Sequence, residues 1–244
     1  MVEREGIYIP IDTFSTLIMS AIETYPTECS GLLFGLEDLS TKYIRYIVRS
    51  VIPYQIVVHR DETSIVEDST SYLRLINSQN VVAGNTLLGG YHSHPDSSPL
   101  FSNSDKNYFK NRRKHQIELV LSIKKIMESN CEWEYYNDII IEGSIPFGDQ
   151  YYVFEIVGYY KDGNRIKRLD MYSGYIDVMK TIMRLIPSIH SLGDLYELSK
   201  NRQKSPFATA QFIDEIEDLI VQEESKKSIR AKVKELKEYL ETSD

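Results

Sequence analysis

The chain has 244 residues, enough to bury a core without disulfide or metal staples, and its 42% hydrophobic and 26% charged residues are globular usage rather than disordered or low-complexity usage. A formal charge of −8 repels phosphate backbones and anionic lipid, so neither nucleic acid nor a membrane is an expected partner; the one short basic run, Arg112 to Lys114 with His115, reads as a solvated helix end. Cys29 and Cys131 are too few for a disulfide scaffold, the N-terminus shows no basic-then-apolar leader, and no apolar run reaches about 18 residues, so the expected compartment is the reducing cytoplasm.

In chain order, Ile7 to Ile9 reads as a short strand. Phe14, Leu17, Ile18, Ala21, Ile22 and Tyr25 recur at offsets of three and four, one face of a helix that Pro26 ends. Gly31 to Gly35 is a glycine-bounded apolar run that suits a buried strand, and Tyr43 to Val51 and Gln55 to His59 read as further strands. Val66 to Asn77 reads as a weak helix. Leu87 to His94 is apolar and glycine-interrupted, followed by a loop over Pro95 to Phe101 and a helix from Ser102 to about Arg113. The alternation of Ile117, Leu119, Leu121 and Ile123 with Glu118, Val120, Ser122 and Lys124 predicts a strand packed on one face. Ile126 to Phe147 reads as irregular, and Tyr151 to Tyr160 and Arg165 to Leu169 flank Asp162-Gly163 as a hairpin.

Beyond about Gly174 the pattern is helical: Tyr175, Val178, Met179, Ile182, Leu185 and Ile186 share a face, and Pro206 opens a helix through Phe212, Ile216, Leu219 and Ile220. The phase slips before Ile229, Val233, Leu236 and Leu240, which argues against one long coiled coil. The division expected is an α/β domain over 1–172 and a helical extension over 173–244. Residues from Ser205 onward carry ten acidic and six basic side chains, half of the net charge, which suits the basic surface of a protein partner.

The stretch that carries chemistry is Gly89, Gly90, Tyr91, His92, Ser93, His94, Pro95, then Ser102 and Asp105. Side chains two apart on a strand share a face, so His92 and His94 can present two imidazoles to one metal. Asp105 would be an anionic third ligand from the first turn of the next helix, with Ser102 at a spacing of three on the same face. Two His and one carboxylate leave a tetrahedral position open, the ligand count of a catalytic zinc with water as its fourth ligand. Ser102-x-x-Asp105 also reads as a helix cap.

These residues resemble the JAMM or MPN-plus (JAB-domain) zinc metalloproteases, which share an upstream glutamate followed by a Gly-Leu-Leu-x-Gly-like strand; here Glu28 precedes Gly31, Leu32, Leu33, Phe34 and Gly35. The resemblance covers roughly residues 5 to 160 and not the C-terminal helices. It implies a mixed, cytidine-deaminase-like β-sheet flanked by helices, one zinc ion held by His92, His94 and Asp105, Glu28 as general acid/base and Ser102 as oxyanion stabiliser. The implied activity is hydrolysis of amide or isopeptide bonds at the C-terminus of ubiquitin or a ubiquitin-like protein, whose extended tail would pair with an edge strand in a groove shaped by Asp61 to Ser71 and Ile126 to Phe147. Two other readings stand beside it: a zinc peptidase acting on sulfur-carrier proteins or small peptides, and a non-catalytic scaffold. A partner subunit or a second copy, bound through the C-terminal helices, is the expected assembly. His59, His115 and His190 are expected to be non-ligands, and Cys29 a small core residue.

Overall fold

The computed structural model describes residues 6–38, 45–63, 65–128, 132–222 and 224–242. It divides into two compact units, one up to Tyr172 and one from Ser173.

The first unit opens with β1 (Gly6–Ile9) and α1 (Ile11–Thr24), whose Phe14, Leu17, Ile18 and Ala21 are buried as their spacing demands. Next come β2 (Ser30–Asp38), β3 (Arg45–Pro53), the β4 (Val57–Arg60) and β5 (Ile65–Glu67) ribbon, and α2 (Ser69–Ala83). The expected strand at Tyr43 begins outside the described residues, as does all that concerns Cys131. Val66 belongs to β5 rather than to a helix: α2 starts only where the Asp68 side chain accepts the Ser71 N–H at 2.7 Å. Then follow β6 (Thr86–Pro95), α3 (Asn103–Lys110) and β7 (Ile117–Ile126).

Ile126 to Phe147, read as irregular, contains two strands, β8 (Glu134–Tyr136) and β9 (Ile140–Phe147), which continue the sheet beyond β10 (Gln150–Asp162). β10 pairs with β11 (Arg165–Leu169), and the central residues of that turn are Gly163 and Asn164, of which only Gly163 has positive φ. A short β12 (Met171–Ser173) closes the unit's sheet.

Among the described residues ten strands form one mixed sheet in the order β12-β1-β3-β2-β6-β7-β10-β9-β8, with β11 beside β10. β1–β3 and β6–β7 are parallel and the central β2–β3, β2–β6 and β7–β10 pairs antiparallel. Helix α1 packs on one face. The other carries Leu32, Phe34 and Tyr54 beneath α2, and Phe101, Val120, Val157 and Tyr159 beneath Phe109 of α3. β7 is therefore buried on both faces from Ile117 to Ile123, not on one, because α3 and the loop before it cover its polar side.

The second unit contains α4 (Gly174–Met183), α5 (Leu192–Asn201), α6 (Pro206–Val221) and α7 (Lys226–Glu241). α5 carries only Leu195 and Ser199 as buried residues, too sparse a stripe to stand out in the sequence, and a Ser191/Asp194 capping box starts it. α6 packs on α4, α5 and α7, with Ile213, Ile216, Val233, Leu236 and Leu240 buried. Among the described residues no helix is long and apolar enough to cross a membrane.

Candidate metal centre

Strand alternation assembles the centre. Ser30 lies opposite His92 on the β2 side, while Gly90, His92 and His94 pair with Glu118, Val120 and Ser122 of β7. Directly paired residues point to the same face, so Ser30, His92, His94, Glu118 and Ser122 share one side of three adjacent strands. Glu28, two residues before Ser30, opens into the same cleft, which has a volume of about 530 Å³. Asp105 arrives from α3. There Ser102 Oγ accepts the Asp105 N–H at 3.1 Å and Asp105 Oδ2 accepts the Ser102 N–H at 2.7 Å, a reciprocal capping box that fixes the first helical turn.

The two imidazoles and the carboxylate converge. His92 Nε2 and His94 Nε2 are 3.1 Å apart, and Asp105 Oδ1 and Oδ2 lie 3.6 and 3.4 Å from them. One ligand atom from each of the three residues falls within 4.8 Å of the others. The far side of each ring is already engaged: His92 Nδ1 faces Glu118 Oε1 at 2.9 Å and His94 Nδ1 faces the Ser98 carbonyl at 2.8 Å. Both partners only accept, so each Nδ1 carries a proton, and each ring is left with its Nε2 turned toward the other ring and toward the Asp105 carboxylate as the atom able to ligate a metal. Two imidazole nitrogens and a carboxylate at such separations can hold one cation among them. Nδ1–H held by a carboxylate or carbonyl, with Nε2 free, is also how metal-binding histidines are usually oriented. The donor set fits a zinc ion with one coordination position left open.

The local field agrees. Burial opposes charge on His92, but Glu118, Asp105 and Glu28 outweigh it and raise its affinity for a proton. Burial also works against ionisation of Asp105, and hydrogen bonds from His94 and Ser102 with the charge of His92 overcome it, holding the carboxyl well below its ordinary range. Glu28 is 8% exposed and pushed up to about 7, first by burial, with Asp105 and Asp61 adding and His92 and His94 opposing. A carboxyl poised there can both take and return a proton near neutral pH. Its backbone N–H is held by the Asp61 carbonyl at 2.8 Å.

Glu28, His92, His94, Ser102 and Asp105 all line this one cleft. Of the two segments expected to shape a groove, Glu62 and Thr63 reach it, whereas no described residue between 126 and 147 does. The other histidines lie elsewhere: His59 pairs with Asp61 at 2.7 Å, His115 Nδ1 meets the Tyr160 hydroxyl at 2.5 Å, and the His190 N–H donates to Asp194. Cys29 turns to the opposite face, where its sulfur is 3.8 Å from Ser20 Oγ and burial pushes the thiol up. Arg112 is not a plain solvated helix end: its guanidinium sits 4.6 Å over the Tyr108 ring on the rim of the cleft. Sequence reasoning passed over Glu118, which looked like an outward residue of an alternating strand; a charged residue in the middle of a strand beside the His-x-His segment was the available signal.

The chain matches the family described as prokaryotic homologues of the JAB domain over residues 10–134. Among solved structures it is similar to a Desulfitobacterium hafniense protein determined in solution, at 17% identity and a TM-score of 0.47, covering 68% of this chain and 92% of that one. It is also similar to a JAB1/MPN domain protein from Archaeoglobus fulgidus, at 15% identity and a TM-score of 0.34, covering 69% of this chain and 97% of that one. No curated protein matches it. With its mixed sheet between helices and a His-x-His strand facing an aspartate on the next helix, the chain belongs to the family of prokaryotic homologues of the JAB domain.

Proposed function

We propose that this protein is a zinc-dependent metallo-isopeptidase or peptidase that hydrolyses the amide or isopeptide bond at the C-terminus of ubiquitin or a ubiquitin-like protein. The observation that carries the reading is the convergence of two Nε2 atoms and one carboxylate, each ring fixed from behind, in the cleft that also holds a near-neutral Glu28. A zinc ion held there by His92, His94 and Asp105 would supply Lewis acidity, making water more acidic and polarising a carbonyl. Glu28 takes the proton from the attacking water and returns it to the departing amine, a transfer worth about 10²–10⁴-fold in rate. Ser102, whose oxygen accepts the Asp105 N–H, keeps its own hydroxyl proton to donate to the developing oxyanion. Asp105 and the two imidazoles stay fixed while the proton moves.

The substrate is an extended tail laid along the cleft, the setting is cytoplasmic, and the C-terminal unit is the surface for a partner subunit or a second copy. Zinc-loaded protein incubated with a panel of ubiquitin, ubiquitin-like and sulfur-carrier fusions, with and without chelator, tests the reading and identifies the tail. Cleavage that chelator abolishes, and that Glu28→Gln loses while keeping zinc, is the expected result. Cleavage indifferent to chelator, or undiminished in Glu28→Gln, overturns it, and cleavage confined to sulfur-carrier fusions moves the substrate to that class.

A further inference from the structure

We propose that Glu118 is the positioning residue of the metal centre, fixing which nitrogen of His92 faces the ion and placing a negative charge behind that ligand. The inference rests on the metal reading above.

Glu118 sits within β7 and is 5% exposed. Its Oε1 is 2.9 Å from His92 Nδ1, while Oε2 is buried and has no hydrogen-bond partner among the described residues. A buried carboxylate left with one hydrogen bond is costly, and a neutral side chain of the same shape would fill the space without that cost. What makes the charge useful is the positive group that His92 faces on its other side. The backbone is cut to admit it: a Cβ at Gly90, the residue paired with Glu118, would lie 3.0 Å from Oε2, 3.4 Å from Oε1 and 3.3 Å from the Gly31 carbonyl. A Cβ at position 90 would press on the carboxylate, which would have to give by a few tenths of an ångström, so glycine here reflects a close approach rather than a turn.

His94 provides the internal contrast. Its Nδ1 is held by the neutral Ser98 carbonyl, so the two imidazoles are oriented alike but only His92 has a full charge behind it. A carboxylate in that position raises ligand basicity as well as fixing the tautomer, and losing it typically weakens metal binding about 10–100-fold.

The test uses the full chain and zinc alone, with affinity measured by competition against a chelator for wild type, Glu118→Gln, Glu118→Ala and Asp105→Ala. Glu118→Gln, which keeps the shape and an acceptor oxygen, is expected to bind zinc about 10–100-fold more weakly. In nitrogen-15 spectra of the zinc-loaded protein its His92 Nδ1–H resonance moves while that of His94 stays in place. A merely structural residue would lower thermal stability and move neither the affinity nor that one resonance. Glu118→Gln carries the test even if Glu118→Ala fails to fold. If wild type binds zinc, Asp105→Ala does not, and Glu118→Gln matches wild type in affinity and spectrum, the inference falls and the metal reading stands. If wild type takes up no zinc, both fall together.

Discussion

Strands β2, β6 and β7 carry different chemistry on their two faces. Ser30, His92, His94 and Glu118 point into the cleft, whereas Leu33, Tyr91, Ser93, Leu119, Leu121 and Ile123 point to the side of α1, where the Tyr91 hydroxyl donates to Ser20 and Ser93 Oγ accepts the Cys29 N–H. Consecutive residues thus belong to different tasks, His92 to the candidate metal centre and Tyr91 to the core. Glu118 is 5% and Leu121 0% exposed, so polarity separates the two faces more than burial does. The α1 face holds the strands in place by apolar burial; the cleft face uses that rigidity to keep charged groups closer together than they would settle by themselves.

The sharpest way to break this division is to damage one face and read the other. Leu121→Ala on the α1 face is expected to lower stability by about 2–5 kcal/mol in denaturant melts while leaving zinc affinity within a few-fold of wild type. Should it lose zinc as completely as His94→Ala, the faces are not separable. Zinc at the proposed centre would act on the cleft face alone: at a free concentration of about 100 Kd it should add about 2.7 kcal/mol. Calorimetry should find that increment undiminished in Leu121→Ala and absent in His94→Ala; an increment surviving in His94→Ala would place the ion elsewhere.

The same contrast explains what could be read from the sequence. The α1 face was legible because its residues are apolar at the period of their element: Phe14, Leu17, Ile18 and Ala21 for the helix, Ile117, Leu119, Leu121 and Ile123 for the strand. The candidates His92, His94, Ser102 and Asp105 were legible through spacing, and Glu28 only through the family resemblance, since its position alone reads as a solvated loop carboxylate. Glu118 was not, because periodicity equates polar with exposed, and a strand whose polar side is covered by α3 gives the same pattern as one that faces solvent. β9 was missed because Gly143, Ser144 and Pro146 interrupt its apolar residues. Gly143 in fact lets the Trp133 ring lie against the backbone, where a Cβ would come within 2.2 Å.

A smaller effect separates the faces by pH. Burial gives Glu28 a folded pKa of about 7 against an ordinary 4.5, so the folded, metal-free protein holds that proton more tightly than the unfolded chain. The stabilisation is complete below about pH 4.5 and is lost as pH rises through 7. Glu28→Gln has no proton to lose, so in chelator-treated samples its melting temperature should gain on wild type between those limits and hold its lead above them. With part of the carboxyl's field screened by solvent in the cleft, about 1–2 kcal/mol is expected. Leu121→Ala should shift melting equally at every pH. A difference between Glu28→Gln and wild type that stays flat from pH 4.5 to 8 would mean that the glutamate is not buried as described.

The smallest stability change is expected at Ser102, where a structural task and the proposed chemical one would share a single oxygen. Its Oγ accepts the Asp105 N–H, and the reciprocal bond to Asp105 Oδ2 comes from the Ser102 backbone, so deleting the side chain leaves that carboxylate anchored. Glycine is a tolerable N-cap, and Ser102→Gly should therefore cost only a few tenths of a kcal/mol. Zinc affinity should stay near wild type. Turnover should nonetheless fall by about 10²–10³, the usual cost of removing one oxyanion donor, since a hydroxyl that only capped the helix would affect rate no more than it affects folding. Ser102→Thr, which keeps both the acceptor and the donor, should recover most of the rate. Equal turnover in Ser102→Gly and wild type would reduce Ser102 to a cap and leave the oxyanion to other groups in the cleft.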